Sequence, residues 1–95
     1  MKVYLTAIIK AKPEYQKDVK AVLQNMVVNT RKENACLQYD LHQKTDDENT
    51  FVFYEIWESM EGLDLHNTQP YIQEFIALAT QKLAGQPEVY LTKKI

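Results

Sequence analysis

The sequence predicts an α+β fold built in the order β-α-β-β-α-β. Three observations carry it. Short apolar runs with strand character occupy 2–12, 36–44, 50–58 and 88–93. Between them, in 14–33 and again in 70–83, the apolar period changes to three and four residues. The few Pro and Gly residues mark the joints. Such an order folds as the ferredoxin-like split arrangement, a four-stranded antiparallel sheet with its helices on one face. At 95 residues the chain makes one domain, 1–95.

Residues 2–12, KVYLTAIIKAK, alternate: Val3, Leu5, Ala7 and Ile9 fall on one face, and Tyr4, Thr6, Ile8 and Lys10 on the other. Pro13 ends this strand and suits the first turn of a helix. Over 14–33, Tyr15, Val19, Val22, Leu23, Met26 and Val27 form one helical stripe, with Lys17, Asp18, Lys20 and Gln24 opposite. In 36–44, CLQYDLHQK, Leu37, Tyr39 and Leu41 point one way, and Gln38, Asp40 and His42 the other. TDDEN at 45–49 is turn chemistry, because Asp and Asn side chains bond their own backbone. The third strand, TFVFYEIWE at 50–58, follows it, so 36–58 reads as a hairpin. Ser59 caps a short helix, MEGLDLH. Asn67 or Thr68 caps the next, with Pro70 in its first turn and Ile72, Phe75, Ile76, Ala79 and Leu83 as its stripe. Gly85 stops that helix, with Pro87 just beyond, and EVYLTK at 88–93 makes the last strand.

Hydrophobic residues at 45% and charged residues at 25% describe a globular chain and not a disordered one. The net charge of −2, with Lys and Arg scattered except for Lys93-Lys94, argues against a nucleic-acid partner. A single cysteine, Cys36, leaves no disulfide framework and fits a reducing cytoplasm. No apolar run reaches the roughly 18 residues of a membrane span, and the N-terminus reads as a strand, not a signal peptide. The two glycines, Gly62 and Gly85, stand alone, so there is no phosphate-cradling loop for a nucleotide or flavin of the usual kind. No His or Cys spacing suggests a metal.

The third strand is apolar on both sides: Phe51, Phe53 and Trp57 share one face, Val52, Tyr54 and Ile56 the other. Helices cover only one face of such a sheet. Leaving three large side chains wet would forgo about 1.5–3 kcal/mol each, a large share of a net stability of roughly 5–15 kcal/mol. Two copies are therefore expected to pack sheet against sheet as a two-fold homodimer.

The candidates for chemistry gather late in the chain. His66 ends the short helix. It reads either as a partly exposed His at a helix C-terminus or as a titratable group facing a cavity; an unperturbed His titrates near about 6.5. Trp57 reads as core or as an aromatic wall with an indole donor. Tyr71 either packs in the last helix or presents its phenol to the same cavity, and His42 reads as a surface residue or as a second lining group.

CLQYDLHQ (36–43), FVFYEIWES (51–59) and HNTQPY (66–71) together resemble the antibiotic biosynthesis monooxygenase domain family, including its quinol monooxygenase-like members, over nearly the full length. The pattern E-x-W-x-S, a helix, then H-x-x-x-P carries the likeness. The resemblance implies a dimeric α+β barrel with a pocket in each protomer. It implies oxidation of a small quinol-like or polycyclic aromatic by O₂, with no metal, flavin or other cofactor. His66 is then the base or a proton relay, with Trp57 as wall and donor. Tyr71 is then a substrate contact, and Phe53, Tyr39 and His42 are further candidates for the substrate-binding lining.

Two positions depart from the family pattern. Characterised monooxygenases often have Asn where this chain has Phe53, and many relatives have a second His where it has Tyr71. Haem-degrading relatives use an Asn around the position of Ala7 and a later helical His; neither is present, which argues against haem. The scaffold also hosts isomerases acting on small signalling sugars and members with no known reaction, so an isomerase or proton-transfer enzyme on a small polar signalling metabolite, or a non-catalytic ligand-binding or stress module, stands as the alternative function.

Overall fold

The computed structural model describes residues 1–95. Its elements are β1 (Val3–Lys10), a 3-10 turn (Pro13–Tyr15), α1 (Gln16–Thr30), β2 (Cys36–Lys44), β3 (Asp47–Trp57), α2 (Met60–His66), α3 (Pro70–Lys82) and β4 (Glu88–Thr92). The sheet runs β2-β3-β1-β4, antiparallel throughout, which is the ferredoxin-like arrangement that the element order predicts. No helix is long and apolar enough to cross a membrane.

Alternation on the two central strands builds the core. Val3, Leu5, Ala7 and Ile9 of β1 and Phe51, Phe53 and Trp57 of β3 are buried on the face that carries the helices. Val19, Leu23 and Met26 of α1, Leu63 of α2, and Ile72 and Phe75 of α3 pack onto them. On the opposite face Tyr4, Thr6, Ile8, Val52 and Ile56 are half-buried, and Tyr54 is exposed. The single chain covers one side of its sheet only.

Several boundaries differ from the sequence expectation, each because a long-range contact outweighs a local preference. Helix α1 stops at Thr30, not 33, because the chain reverses through 31–35; Arg31 ties the reversal to β2 through the Tyr39 carbonyl at 3.1 Å. The turn at 45–49 is shorter than expected. Asp47 already belongs to β3, and its carboxylate accepts from the Asn49 amide at 3.1 Å and the Thr50 hydroxyl at 2.7 Å. A register shift between Cys36 and Gln38 leaves Leu37 unpaired and exposed, while Tyr39 and Leu41 stay on the inner face. Neither Asn67 nor Thr68 caps α3: Gln69 holds the N-cap position in extended backbone, and the Thr68 hydroxyl instead donates to the Leu65 carbonyl. Gly85 does not stop α3. Leu83 turns extended first, to bridge Ala11, and no glycine has a positive φ.

Ser59 does cap α2, accepting from the Gly62 amide at 3.1 Å. Gly62 then faces Ala35, where a Cβ on residue 62 would collide with the Ala35 Cβ. Alanine is favoured over glycine within a helix by about 1 kcal/mol, but overpacking costs about 1–3 kcal/mol. Gly62→Ala is therefore expected to destabilise the protein, lowering the urea midpoint with the slope unchanged. A raised midpoint would refute this close approach.

Candidate active site

A pocket of about 410 Å³ lies between the inner face of the sheet and helices α2 and α3. Leu5, Ala7, Tyr39 and Phe53 form its sheet side, Leu63 and Phe75 its helix side, and Val89 and Leu91 of β4 stand at its rim. Thirteen of its eighteen lining residues are hydrophobic, so the walls that a bound molecule meets are mostly apolar.

Two ionisable groups break that lining deep inside. The first follows from the alternation of β3, which puts residue 55 on the same face as Phe53 and Trp57. Glu55 is only 5% exposed. Its Oε1 accepts a hydrogen bond from the Trp57 indole N–H at 2.9 Å. No Lys, Arg or His pairs with it. Burial pushes its carboxyl up to about 7; the indole bond opposes the rise and the nearby Glu33 carboxylate adds to it.

The second group is His66, the last residue of α2, 4% exposed and lining the same pocket. Its ring packs against Trp57, with centroids 4.5 Å apart, and edge-on to Tyr39 at 5.6 Å. Nδ1 lies 2.8 Å from Glu33 Oε2. Burial lowers the His66 pKa, outweighing the pull of Glu33, so the imidazole is neutral at pH 7. A carboxylate accepts and does not donate, so Nδ1 carries the proton and Nε2 keeps its lone pair. The Tyr71 hydroxyl donates to the same Glu33 oxygen, and burial, together with that carboxylate, holds the phenol well above its usual pKa.

Of the residues singled out from sequence, His66, Tyr39 and Phe53 line the pocket. His66 is an interior side chain, not a surface residue at a helix end. Trp57 is completely buried behind His66 and its indole N–H is engaged by Glu55, so it neither walls the cavity nor offers a free donor. Tyr71 lies outside the lining, its hydroxyl engaged by Glu33. His42 is exposed and pairs with Val52 on the face without helices, away from the pocket. Sequence reasoning missed Glu55 and Glu33. An acidic residue in phase with Phe51, Phe53 and Trp57 was the available signal for Glu55; Glu33, in the reversal after α1, had none. No three His, Cys, Asp or Glu side chains cluster as a metal-ligand set.

Residues 2–78 match the family described as antibiotic biosynthesis monooxygenase. The chain is 34% identical over 91 residues to the Bacillus subtilis protein named "Putative monooxygenase YcnE", covering 96% of both. It is 31% identical over 85 residues to an uncharacterized Synechocystis protein, covering 90% of this chain and 58% of that longer relative. Among solved structures, PA3566 of Pseudomonas aeruginosa superposes with a TM-score of 0.93 at 26% identity, over 99% of this chain and 94% of its own.

The buried carboxyl makes stability depend on pH. The folded state raises the Glu55 pKa from 4.5 to about 7, so the stability it contributes is complete below pH 4.5 and is lost as pH rises through about 7. Glu55→Gln is neutral throughout. It is expected to gain on the wild type across that window, by about 3 kcal/mol at most. Urea unfolding of both proteins at either end of the window measures the difference; a constant difference would show that Glu55 ionises as freely as in water.

Proposed function

The chain belongs to the antibiotic biosynthesis monooxygenase family, and on that premise we propose that its pocket oxidises a small quinol-like or polycyclic aromatic with O₂ as co-substrate. The observation that carries this reading is an apolar cavity of about 410 Å³ whose lining includes an uncharged imidazole with one uncommitted nitrogen. A hydroquinone or anthrone that loses a proton becomes an electron-rich anion able to reduce O₂ directly. One oxygen atom enters the substrate and the other leaves as water. The substrate supplies all four electrons, so the balance calls for no external reductant and no cofactor. The protein's part is to keep the anion dry, hold it still and handle its protons.

Tyr39 and Phe53 offer aromatic surface to a flat ring, and His66 Nε2 accepts from one substrate hydroxyl. Tyr71 and Glu33 act at one remove, by fixing the tautomer and tilt of His66. The mostly hydrophobic lining favours an aromatic over a small polar metabolite, and with it oxidation over the isomerase alternative. A homodimer accompanies this reading: a second copy closes the open sheet face that carries Tyr4, Ile8, Val52, Tyr54 and Ile56. A cytoplasmic location accords with the free thiol of Cys36.

Purified protein is expected to speed O₂ uptake by a hydroquinone or an anthrone, and His66→Ala to slow it by about 100-fold; rates no faster than buffer with both substrate types would end this reading. Light scattering at micromolar concentration is expected to give twice the 11.1 kDa chain mass, and Tyr54→Glu with Ile56→Glu the single-chain mass. A wild-type monomer would leave the open face unexplained.

A further inference from the structure

We infer that Glu55 is the proton acceptor of this pocket, taking the proton of a substrate hydroxyl, an inference that rests on the reading of the pocket as a site for hydroxyaromatics. The placement argues first. A carboxylate on the inner face of the central strand, flanked by Phe53 and Trp57 and unpaired with any cation, is costly to keep. A core needs no acid there, since an apolar side chain would pack without that cost.

The two carboxylate oxygens differ. Oε1 is held by the Trp57 indole at 2.9 Å, which fixes the side chain's orientation. Oε2 has no partner in the protein, yet it is not among the sealed polar atoms, of which Thr30 Oγ1 is the sole case. Glu55 lines the cavity, so Oε2 opens into it. The same reasoning places His66 Nε2 on the cavity. The pocket thus offers two acceptors and calls for a ligand with hydroxyl donors, as a hydroquinone has.

The two acceptors differ in strength. Burial makes His66 a weaker base than free imidazole and Glu55 a stronger one than a free carboxylate. The titratable groups around Glu55 are Glu33 in the reversal after α1, His66 and Asp64 of α2, and Cys36 and Tyr39 of β2, and none brings a fixed positive charge. Transfer to Glu55 conserves charge: the substrate O–H bond breaks, an Oε2–H bond forms, and the electron pair stays on the substrate oxygen. One negative charge moves within the pocket and none is created. After O₂ has reacted, the acid returns its proton to the oxygen that leaves as water, and Glu55 ends as it began.

Glu55→Gln tests this, because an amide oxygen still accepts from Trp57 but takes no proton. A nitrophenol, whose ionised form absorbs at longer wavelength, is the probe. Near pH 7, where the Glu55 carboxyl is part-ionised, wild-type protein is expected to bind it with a larger phenolate fraction than Glu55→Gln, which holds it as the phenol; the same bound form in both proteins overturns the assignment. Infrared difference spectra of the wild type, which need no variant to fold, are expected to show a protonated carboxylic carbonyl appearing on binding, and its absence also overturns it. In turnover, Glu55→Gln is expected to lose about 100-fold or more in kcat/KM with a weakly acidic hydroquinone and far less with an acidic, halogenated one; equal losses contradict a base. Phenolate binding without O₂ uptake would remove the monooxygenase reading and leave Glu55 as the base. O₂ uptake unchanged in Glu55→Gln would do the reverse.

Discussion

Everything about the pocket follows from one constraint: a period-two strand covered on a single side. Phe53, Glu55 and Trp57 must share a face, and that face is the one the helices close. An acid in this register cannot reach bulk water without turning the whole strand over. The fold resolves the conflict by leaving a cavity beside the acid and by giving one of its oxygens an indole donor. Trp57 thus serves two ends: it fills the core, and it orients the carboxylate next to it.

The second acid completes the arrangement. Glu33 receives two hydrogen bonds at one oxygen, from His66 and Tyr71, which reach it from the end of α2 and the start of α3. That junction depends on close packing. Because Gly62 has no side chain, α2 can lie against Ala35, beside the reversal that carries Glu33. The 2.8 Å contact of His66 and the tautomer it imposes are consequences of a missing methyl group four residues earlier in the helix. Fold and site chemistry meet at that residue.

The same dependence explains what the sequence could and could not reveal. Strands β1 and β3 and the stripe of α1 were legible because periods of two and three-to-four are local, and a local pattern suffices where one face is buried. The end of α3 was not. Leu83 leaves the helix to bridge Ala11, and no property of residues 83–85 announces a partner so far back in the chain. The bulge at Leu37 escaped for a similar reason, since register belongs to a pair of strands and not to either one. Among site residues, His66, Tyr39 and Phe53 were readable as a titratable group amid aromatics. The polar atoms of Trp57 and Tyr71 are engaged by Glu55, which the alternation of β3 marks as an acid in phase with its aromatics, and by Glu33, for which no local pattern exists. Chemistry in a core is decided by which donors are already committed, and only the tertiary structure reveals that.

Two acids and a histidine without a cation would ordinarily weaken a small core. Here the cost is spread. Glu33 keeps some solvent exposure and takes two donors, His66 stays neutral, and Glu55 sits close to the pH at which it can give up its charge altogether. Glu55 is thus held near the pH at which it exchanges a proton, and each of the three is fixed in position by an aromatic or phenolic neighbour. The retained flexibility in protonation, inside walls that are otherwise apolar, is what a pocket needs if it is to strip a proton from a bound aromatic and later restore it.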